Sequence, residues 1–211
     1  MQIWATNADD DMPWLGAVTQ ILRDGGAVAL PTDTYYGLAA DSRSVEGIAR
    51  VLQLKGRATS HPILLLAADT ESARAVAAVT DSRFDLLAAE FWPGPLTLVV
   101  PARAGLPAPL LGPSGGVAVR VPAASVPRAV AASLGAAITG TSANLTGEPA
   151  VAAVSDLNID SERLDGVVDG GLLPGGQPST IVDLTTTPAR LLREGAVAAE
   201  TIRKSLSGRL I

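Results

Sequence analysis

The chain has 211 residues, which is enough for a single domain with a sizeable hydrophobic core. It contains no cysteine and one histidine, so disulfides, thiolate metal sites, a cysteine nucleophile and a multi-histidine metal cluster are excluded. The net charge of −5 argues against a protein whose main role is to coat nucleic acid.

The N-terminal residues, MQIWATNADDDM, lack the basic region followed by an apolar region that a signal peptide requires. No apolar run in the sequence is long enough to span a bilayer. We therefore expect one domain over residues 1–211, without a membrane segment, that acts in the cytoplasm.

The first predicted elements lead into a polar loop. Apolar spacing predicts a helix over residues 11–24, and a strand over residues 27–30 ends at Pro31, which lacks an amide hydrogen. The next three residues are Thr32, Asp33 and Thr34, followed by both tyrosines of the chain. So many oxygen-bearing side chains at the end of a buried strand indicate a site for a polar ligand.

A second predicted helix begins after Ser44, a typical N-cap residue, and ends among basic residues. It brings Lys55, one of only two lysines, and Arg57 back beside the polar loop, shortly before the single histidine, His61. A lysine and an arginine so close together suit a phosphate or carboxylate ligand. They equally suit an ordinary helix C-terminus, with Gly56 as the stop and basic side chains near the negative end of the helix dipole.

Strands and helices continue to alternate along the rest of the chain. Strands are predicted over residues 63–66, 96–100, 117–121, 137–139, 167–169, 179–184 and 191–193, and helices over residues 71–79, 82–91, 126–134 and 198–206. This alternation predicts an α/β layered fold, in which polar loops at strand ends form ligand sites.

Arg120 is out of place in its predicted strand. It shares one face of residues 117–121 with Ala118, while three valines face the other way. An arginine in an apolar strand needs an anionic partner, because burying an unpaired charge is costly. That partner is either a carboxylate of the core or an anionic ligand.

Three further polar positions lie at strand ends. The sequence GTSAN at residues 140–144 can form a nest of backbone amides that binds phosphate, although it also fits an ordinary turn. Ser179 begins the penultimate predicted strand, and Arg193 ends the last one. Common nucleotide motifs are absent from the sequence, which has neither a P-loop nor a Gly-x-Gly-x-x-Gly turn.

A serine hydrolase is also disfavoured. GPSGG at residues 112–116 matches the Gly-x-Ser-x-Gly nucleophile elbow, which requires a preceding strand and a following helix. Here a proline-rich loop precedes the motif and a predicted strand follows it.

Taken in order, these segments resemble the YrdC/TsaC family of L-threonylcarbamoyladenylate synthases. The resemblance rests on PTDTYYGL (31–38), KGR (55–57), GPLT (94–97), AVRVP (118–122), TSAN (141–144) with Gly147, STIVD (179–183) and LREG (192–195). It extends from residue 11 to the end of the chain and implies a YrdC-like fold, a twisted mixed β-sheet flanked by helices. Longer members of the family carry a second C-terminal domain, which we do not expect in a chain of this length.

The resemblance also implies a reaction. L-Threonine, bicarbonate and ATP become threonylcarbamoyl-AMP and pyrophosphate, with magnesium bound chiefly by the ATP phosphates. A downstream threonylcarbamoyl-transferase complex then modifies tRNA, so contact with tRNA itself is expected to be weak or indirect.

The implied site residues fall into two groups. The residues implied for ATP are Lys55, Arg57, His61, Ser142, Asn144 and Arg193, and the first two also carry catalysis. The residues implied for threonine are Thr34, Arg120 and Ser179. No side chain is implied as a metal ligand. Departures from the family pattern are mild, and one is Leu66, where some members place a histidine.

Two alternatives remain open at this point. One is a YrdC-like paralogue that acts on a different carbamoyl or acyl substrate. The other is an RNA-binding or ribosome-associated factor without catalytic activity, against which the acidic composition counts.

Overall fold

A computed structural model describes residues 1–6, 11–56, 62–160 and 163–207 of the chain. Within these ranges the chain forms two mixed β-sheets flanked by α-helices. This architecture confirms the predicted α/β class, with the strands divided between two sheets. None of the helices in the described ranges is both long and apolar enough to cross a membrane.

The first sheet has five strands in the order β1-β9-β2-β3-β8. Its strands are β1 (Gln2–Ala5), β2 (Val28–Leu30), β3 (Gly37–Ala39), β8 (Thr141–Ser142) and β9 (Gly166–Asp169). β9 lies parallel to both β1 and β2, whereas β3 lies antiparallel to β2 and β8. The loop over residues 31–36 therefore connects two neighbouring antiparallel strands at one end of this sheet.

The second sheet has six strands in the order β11-β10-β5-β6-β4-β7. Its strands are β4 (Leu65–Leu66), β5 (Leu96–Pro101), β6 (Gly116–Arg120), β7 (Ile138–Thr139), β10 (Thr180–Asp183) and β11 (Arg190–Arg193). β5 runs antiparallel to β6 and parallel to β10, so the start of β5, the end of β6 and the start of β10 share one end of the sheet.

The two sheets are joined where β7 passes into β8 through Gly140. The hydroxyl of Thr139 accepts a hydrogen bond from the Ala40 amide (2.9 Å) and donates one to the Leu38 carbonyl (3.1 Å). A Cβ on residue 140 would lie 2.5 Å from Cγ of Leu66, so the crossing depends on glycine. One continuous segment thus ties the sheets together.

Six α-helices surround the sheets in the described ranges. They are α1 (Leu15–Arg23), α2 (Val45–Leu54), α3 (Thr70–Arg74), α4 (Ser82–Phe91), α5 (Ser125–Leu134) and α6 (Ala199–Ser205). Ser44 caps α2 by accepting a hydrogen bond from the Gly47 amide (3.0 Å), and Asp81 caps α4. Gly135 ends α5 in the left-handed conformation that glycine adopts without strain.

The central strand β2 of the five-stranded sheet is buried on both faces. Val28 and Leu30 of β2 pack into an apolar cluster with α1 and α5, while Ala29 faces a second and larger cluster. This burial on both sides explains the uninterrupted apolar run of β2. The larger cluster contains Leu98 and Val119, so it also reaches the six-stranded sheet.

Most predicted elements are confirmed, and the helix over residues 82–91 coincides with α4. The sequence analysis missed β1, β3 and β8, and the helix predicted over residues 71–79 ends earlier, at Arg74. The missed strands are short or lie in polar segments, where alternation of apolar residues gives little signal.

Candidate active site

Polar side chains from both sheets meet at matching strand ends. The five-stranded sheet contributes the loop over residues 31–36 and the end of β8, where Ser142 lies in register with Gly37. The six-stranded sheet contributes the end of β6 and the end of β11, where Arg193 lies in register with Ile181 of β10. Helix α2 begins at the opposite end of the five-stranded sheet and returns to this one.

The first group of side chains, here named the lysine cluster, consists of Lys55, Ser142 and Asn144. Nζ of Lys55 donates to the backbone carbonyl of Ser142 (2.7 Å) and lies 3.3 Å from its Oγ and 3.2 Å from Oδ1 of Asn144. Lys55 and Asn144 are 5% and 7% exposed. A buried ammonium group is thus oriented by a strand-end turn.

The lysine cluster also has the features of a helix terminus. Lys55 is the C-cap residue of α2, and Gly56 follows with φ of 60°. The amide and hydroxyl of Thr146 both donate to the Lys55 carbonyl at 3.0 Å. Lys55 is therefore both the end of a helix and a partner of Ser142 and Asn144, because the end of α2 places its ammonium group beside them.

The second group, here named the arginine cluster, consists of Asp33, Thr97, Arg120, Ser179 and Arg193. Nε of Arg120 donates to the Gly94 carbonyl (2.8 Å), and Nη2 forms an ion pair with Oδ2 of Asp33. The other oxygen of Asp33 accepts from the Ala124 amide (2.9 Å) at the start of α5.

Arg120 therefore has a protein carboxylate partner, as one of the two interpretations of its strand required. That partner belongs to the polar loop at the strand ends. Burial, together with the positive charge of Arg193, lowers the pKa of Arg120 to about 10. Arg120 remains protonated at neutral pH.

Ser179 connects the remaining members of the arginine cluster. Its hydroxyl lies 2.8 Å from the hydroxyl of Thr97 and 3.3 Å from Nη2 of Arg193. The guanidinium group of Arg193 also donates to the Ser179 carbonyl from Nη2 (2.9 Å) and Nε (3.2 Å). Arg193 forms no ion pair with any of the described residues.

The loop over residues 31–36 is fixed by its own hydrogen bonds and by residues after β9. The hydroxyl of Thr32 donates to the Tyr35 carbonyl (2.6 Å), and the Thr34 carbonyl accepts from the Gly175 amide (2.9 Å). The buried phenol of Tyr36 donates to the Gly171 carbonyl (2.8 Å) and lies 3.2 Å from Oδ1 of Asp169. Burial raises the pKa of Tyr36 to about 12, and the nearby carboxylate adds to the increase.

The structure thus brings seven predicted site residues to one region of the molecule. They are Thr34, Lys55, Arg120, Ser142, Asn144, Ser179 and Arg193. The predicted residues Arg57 and His61 lie outside the described residues. Their expected contacts with ATP remain predictions.

Sequence reasoning placed Asp33 and Tyr36 in the polar loop but assigned no individual role to Asp33, Thr97 or Tyr36. The signal for Asp33 was nevertheless present. Arg120 required an anionic partner, and Asp33 is the acidic residue in the polar loop that follows the buried strand β2. Thr97 and Tyr36 gave no comparable signal, because their partners are distant in sequence. No group of three histidine, cysteine, aspartate or glutamate side chains within the described ranges is arranged to hold a metal ion.

Comparison with known proteins gives the family. Residues 20–195 match the family model Sua5_yciO_yrdC, which carries the description "Telomere recombination". The chain belongs to the Sua5/YciO/YrdC family. The resemblance drawn from the ordered motifs is thereby confirmed.

Similar members of the family include two proteins named Threonylcarbamoyl-AMP synthase. The Thiobacillus denitrificans protein is 37% identical over 166 residues, which cover 78% of this chain and 88% of that protein. The Pyrococcus abyssi protein is 34% identical over 184 residues, covering 87% of this chain. The chain spans 54% of the length of the Pyrococcus protein.

A solved Sua5/YciO/YrdC structure gives the same fold. The crystal structure of P. abyssi Sua5 complexed with L-threonine superposes with a TM-score of 0.90 at 30% identity. The alignment covers 100% of this chain and 63% of the Sua5 chain. The fold class predicted from the sequence is therefore the fold of this family.

Proposed function

We propose that this chain forms threonylcarbamoyl-AMP and pyrophosphate from L-threonine, bicarbonate and ATP. The observation that carries the proposal is the 37% identity to the Threonylcarbamoyl-AMP synthase of Thiobacillus denitrificans, aligned over 88% of that protein. The paired cationic clusters at one end of the fold support the same conclusion, because every substrate in this reaction bears an anionic group.

The proposed reaction has two bond-forming stages. The amine of threonine attacks the carbon of bicarbonate, and loss of water gives a carbamate. A carbamate oxygen then attacks the α-phosphorus of ATP, and the bond to the pyrophosphate leaving group breaks. Negative charge accumulates on phosphate oxygens, so alignment and fixed positive charge matter more than a nucleophilic side chain.

In this proposal the lysine cluster contacts the phosphates. Lys55 supplies positive charge, and Ser142 and Asn144 hold its ammonium group in place through the contacts described above. A fixed, buried charge stabilises developing charge more effectively than one that must reorganise. Arg57, His61 and Arg193 are proposed as further contacts to the nucleotide.

The arginine cluster, apart from Arg193, is proposed to bind threonine. Arg120 uses Nε for Gly94 and Nη2 for Asp33, and its Nη1 makes no hydrogen bond to any described residue. Nη1 is therefore the group proposed to receive the threonine carboxylate. Thr34 and Ser179 complete the threonine site with their hydroxyls.

Magnesium is proposed to enter with ATP, coordinated by the phosphate oxygens, whose charge it offsets. Since its substrates are ATP and a small amino acid, we place the activity in the cytoplasm. The adenylate would then pass to a separate transferase that acts on tRNA.

The test is one assay from which each component is omitted in turn. Purified protein with magnesium, ATP, L-threonine and bicarbonate should release pyrophosphate and yield an adenylate of the mass of threonylcarbamoyl-AMP, without RNA. Serine should be a poorer substrate by about 1–3 kcal/mol, because one methyl contact is lost. Pyrophosphate release that persists without bicarbonate, or that requires tRNA, would overturn the proposal.

A further inference from the structure

The ion pair between Asp33 and Arg120 joins the two sheets at the candidate site. Asp33 lies in the loop between β2 and β3 of the five-stranded sheet, and Arg120 is the last residue of β6 in the six-stranded sheet. The side chains are 21% and 10% exposed. A largely buried ion pair within the candidate site constrains what that site can bind.

Asp33 is fixed from two directions. One carboxylate oxygen contacts Nη2 of Arg120, and the other accepts from the Ala124 amide at 2.9 Å. Ala124 is the N-cap residue of α5 and makes no side-chain cap of its own. The positive end of that helix dipole therefore also favours the negative charge of Asp33.

This arrangement leaves Arg120 with one orientation. Gly94 accepts from Nε at 2.8 Å and Asp33 accepts from Nη2, so two of its three nitrogen atoms are held by the protein. Nη1 carries two of the three N–H donors that remain for a ligand. Because a guanidinium group is planar, fixing Nε and Nη2 also fixes the direction of the Nη1 donors.

Asp33 also changes the charge of the site. Arg193 lies close enough for its positive charge to act on Arg120, and the described residues provide Arg193 with no ion pair. With Asp33 ionised, the two arginines and the carboxylate carry a net charge of about +1, whereas without it they would carry about +2. A doubly positive pocket lined by hydroxyls is a typical phosphate site.

We infer that Asp33 positions Arg120 and makes this subsite selective for the carboxylate of an amino acid over a phosphate group. The inference rests on the proposed function, in which threonine and the ATP triphosphate bind next to each other. Two anionic substrates in one site require a means of keeping each in its own place. Asp33 provides it by lowering the charge around Arg120 and by directing its free donors.

The test is Asp33→Asn, which removes the charge while keeping the size of the side chain. We expect the KM for L-threonine to rise about tenfold or more. The two oxygens of Asp33 accept from Arg120 and from the Ala124 amide, whereas an asparagine side chain has only one acceptor oxygen for these two donors. The KM for ATP should stay within about twofold, since the lysine cluster, which is proposed to contact the phosphates, has no contact with Asp33. Inhibition by inorganic phosphate, competitive with threonine, should strengthen by about tenfold because the local charge is higher.

Asp41→Asn is the matched control. Asp41 forms a bidentate ion pair with Arg43, with its side chain 7% exposed, at the opposite end of the five-stranded sheet. This control variant should leave both KM values and the phosphate inhibition unchanged. Equal increases in the KM values for threonine and ATP in Asp33→Asn, or unaltered phosphate inhibition, would overturn the inference.

Calorimetry with L-threonine in the absence of ATP separates this inference from the proposed function. Weaker threonine binding by Asp33→Asn supports the role of Asp33 whether or not the intact protein forms an adenylate. Failure of the intact protein to form an adenylate would refute the proposed function but not the role of Asp33. If Asp33→Asn does not fold, a double variant that combines it with Arg120→Met removes both charges of the ion pair. Its threonine affinity is then compared with that of the single variant Arg120→Met. Because Asp33 acts through Arg120, the two should bind threonine equally, and a further loss in the double variant would contradict the inference.

Discussion

The two sheets contribute different chemistry to the candidate site. On the side of the five-stranded sheet, the lysine cluster places an ammonium group from a helix end against a turn, with Ser142 and Asn144 as oxygen partners. On the side of the six-stranded sheet, Arg120 and Arg193 project from the ends of strands, and their partners are carbonyls, a hydroxyl and one carboxylate. Among the described contacts of the two clusters, only the ion pair of Asp33 with Arg120 connects the two sheets.

The difference shows how one site can treat two anions differently. An ammonium group is a compact charge with little directional preference, which suits a flexible polyphosphate chain. A guanidinium group held at two of its nitrogens offers donors in a fixed plane, which suits a carboxylate that must be aligned for reaction. Variants on each side should therefore separate the two substrates.

The largest effect is expected from Lys55→Met, which removes the charge from the five-stranded side. Loss of one preorganised donor at a developing charge lowers kcat by about 1000-fold, and we expect a loss of that order in adenylate formation. Pyrophosphate release under saturating substrates measures it. Arg57→Ala should have a similar effect.

Lys204→Met is the control for this variant, because Lys204 is the only other lysine and is exposed on α6. It should retain full activity. Near-normal turnover of Lys55→Met in a folded protein would show that the lysine cluster is only a helix terminus, and the contrast between the two sides would disappear.

Arg120→Met tests the six-stranded side. We expect the threonine KM to rise about 100-fold and the ATP KM to rise far less, because truncating one partner of a buried charge contact costs about 2–5 kcal/mol. The variant also leaves Asp33 without its cation, so the free energy of unfolding should fall by about 2 kcal/mol. Steady-state kinetics and denaturant unfolding measure the two effects.

Adding Asp33→Asn to Arg120→Met should restore most of the lost stability without restoring threonine binding, since no unpaired charge then remains. If Arg120→Met raises both KM values equally, the arginine does not distinguish the substrates and acts only as a structural ion pair.

Ser179→Ala sharpens the comparison within the arginine cluster. The Ser179 hydroxyl contacts both Thr97 and Arg193, so its loss should raise the threonine KM by about tenfold, or roughly 1.4 kcal/mol. Thr97→Val removes only the other hydroxyl of that pair and should have a smaller effect. A larger effect from Thr97→Val than from Ser179→Ala would assign the substrate contact to Thr97 instead.

The smallest effect is expected from Tyr36→Phe, which loosens the loop that carries Asp33. Its phenol pKa is raised from 10.0 to about 12 in the folded protein, so the neutral form is favoured by folding. The corresponding stability is complete below pH 10 and is lost as pH rises toward 12. Tyr36→Phe should lower the free energy of unfolding at pH 7 by about 1 kcal/mol.

The difference between the intact protein and Tyr36→Phe should shrink between pH 10 and pH 12, as followed by denaturant unfolding. Tyr35→Phe is the control, because the sequence neighbour of Tyr36 is partly exposed. A stability difference that does not change with pH would show that the phenol does not carry the pH dependence.

The sequence predicted most of the fold because its signals were local. Ser44 as a cap, Gly135 as a stop and the apolar run before Pro31 each act within a few residues, and each occurs where expected. β1 and β8 are stabilised by strands distant in the chain, such as β9 for β1. Local patterns therefore could not reveal them.

The same distinction applies to the site. Lys55, Ser142 and Arg120 were identified because their residue types are unusual for their surroundings or match ordered motifs. The ion pair of Arg120 with Asp33 joins residues 87 positions apart, and it follows from how the two sheets meet. The need for an anion was visible in the sequence, whereas its identity required the three-dimensional structure.

Gly140, where the chain crosses between the sheets, packs against Leu66, a neighbour of the candidate site. Leu66 occupies the space that a Cβ at residue 140 would need, and it lies in register with Arg120 on the neighbouring strand β6. A side chain at residue 140 is compatible only with a smaller one at residue 66. Residues 66 and 140 can therefore change only together. Substitution of Leu66, the neighbour of Arg120, is in this way linked to the residue at the point where the two sheets join.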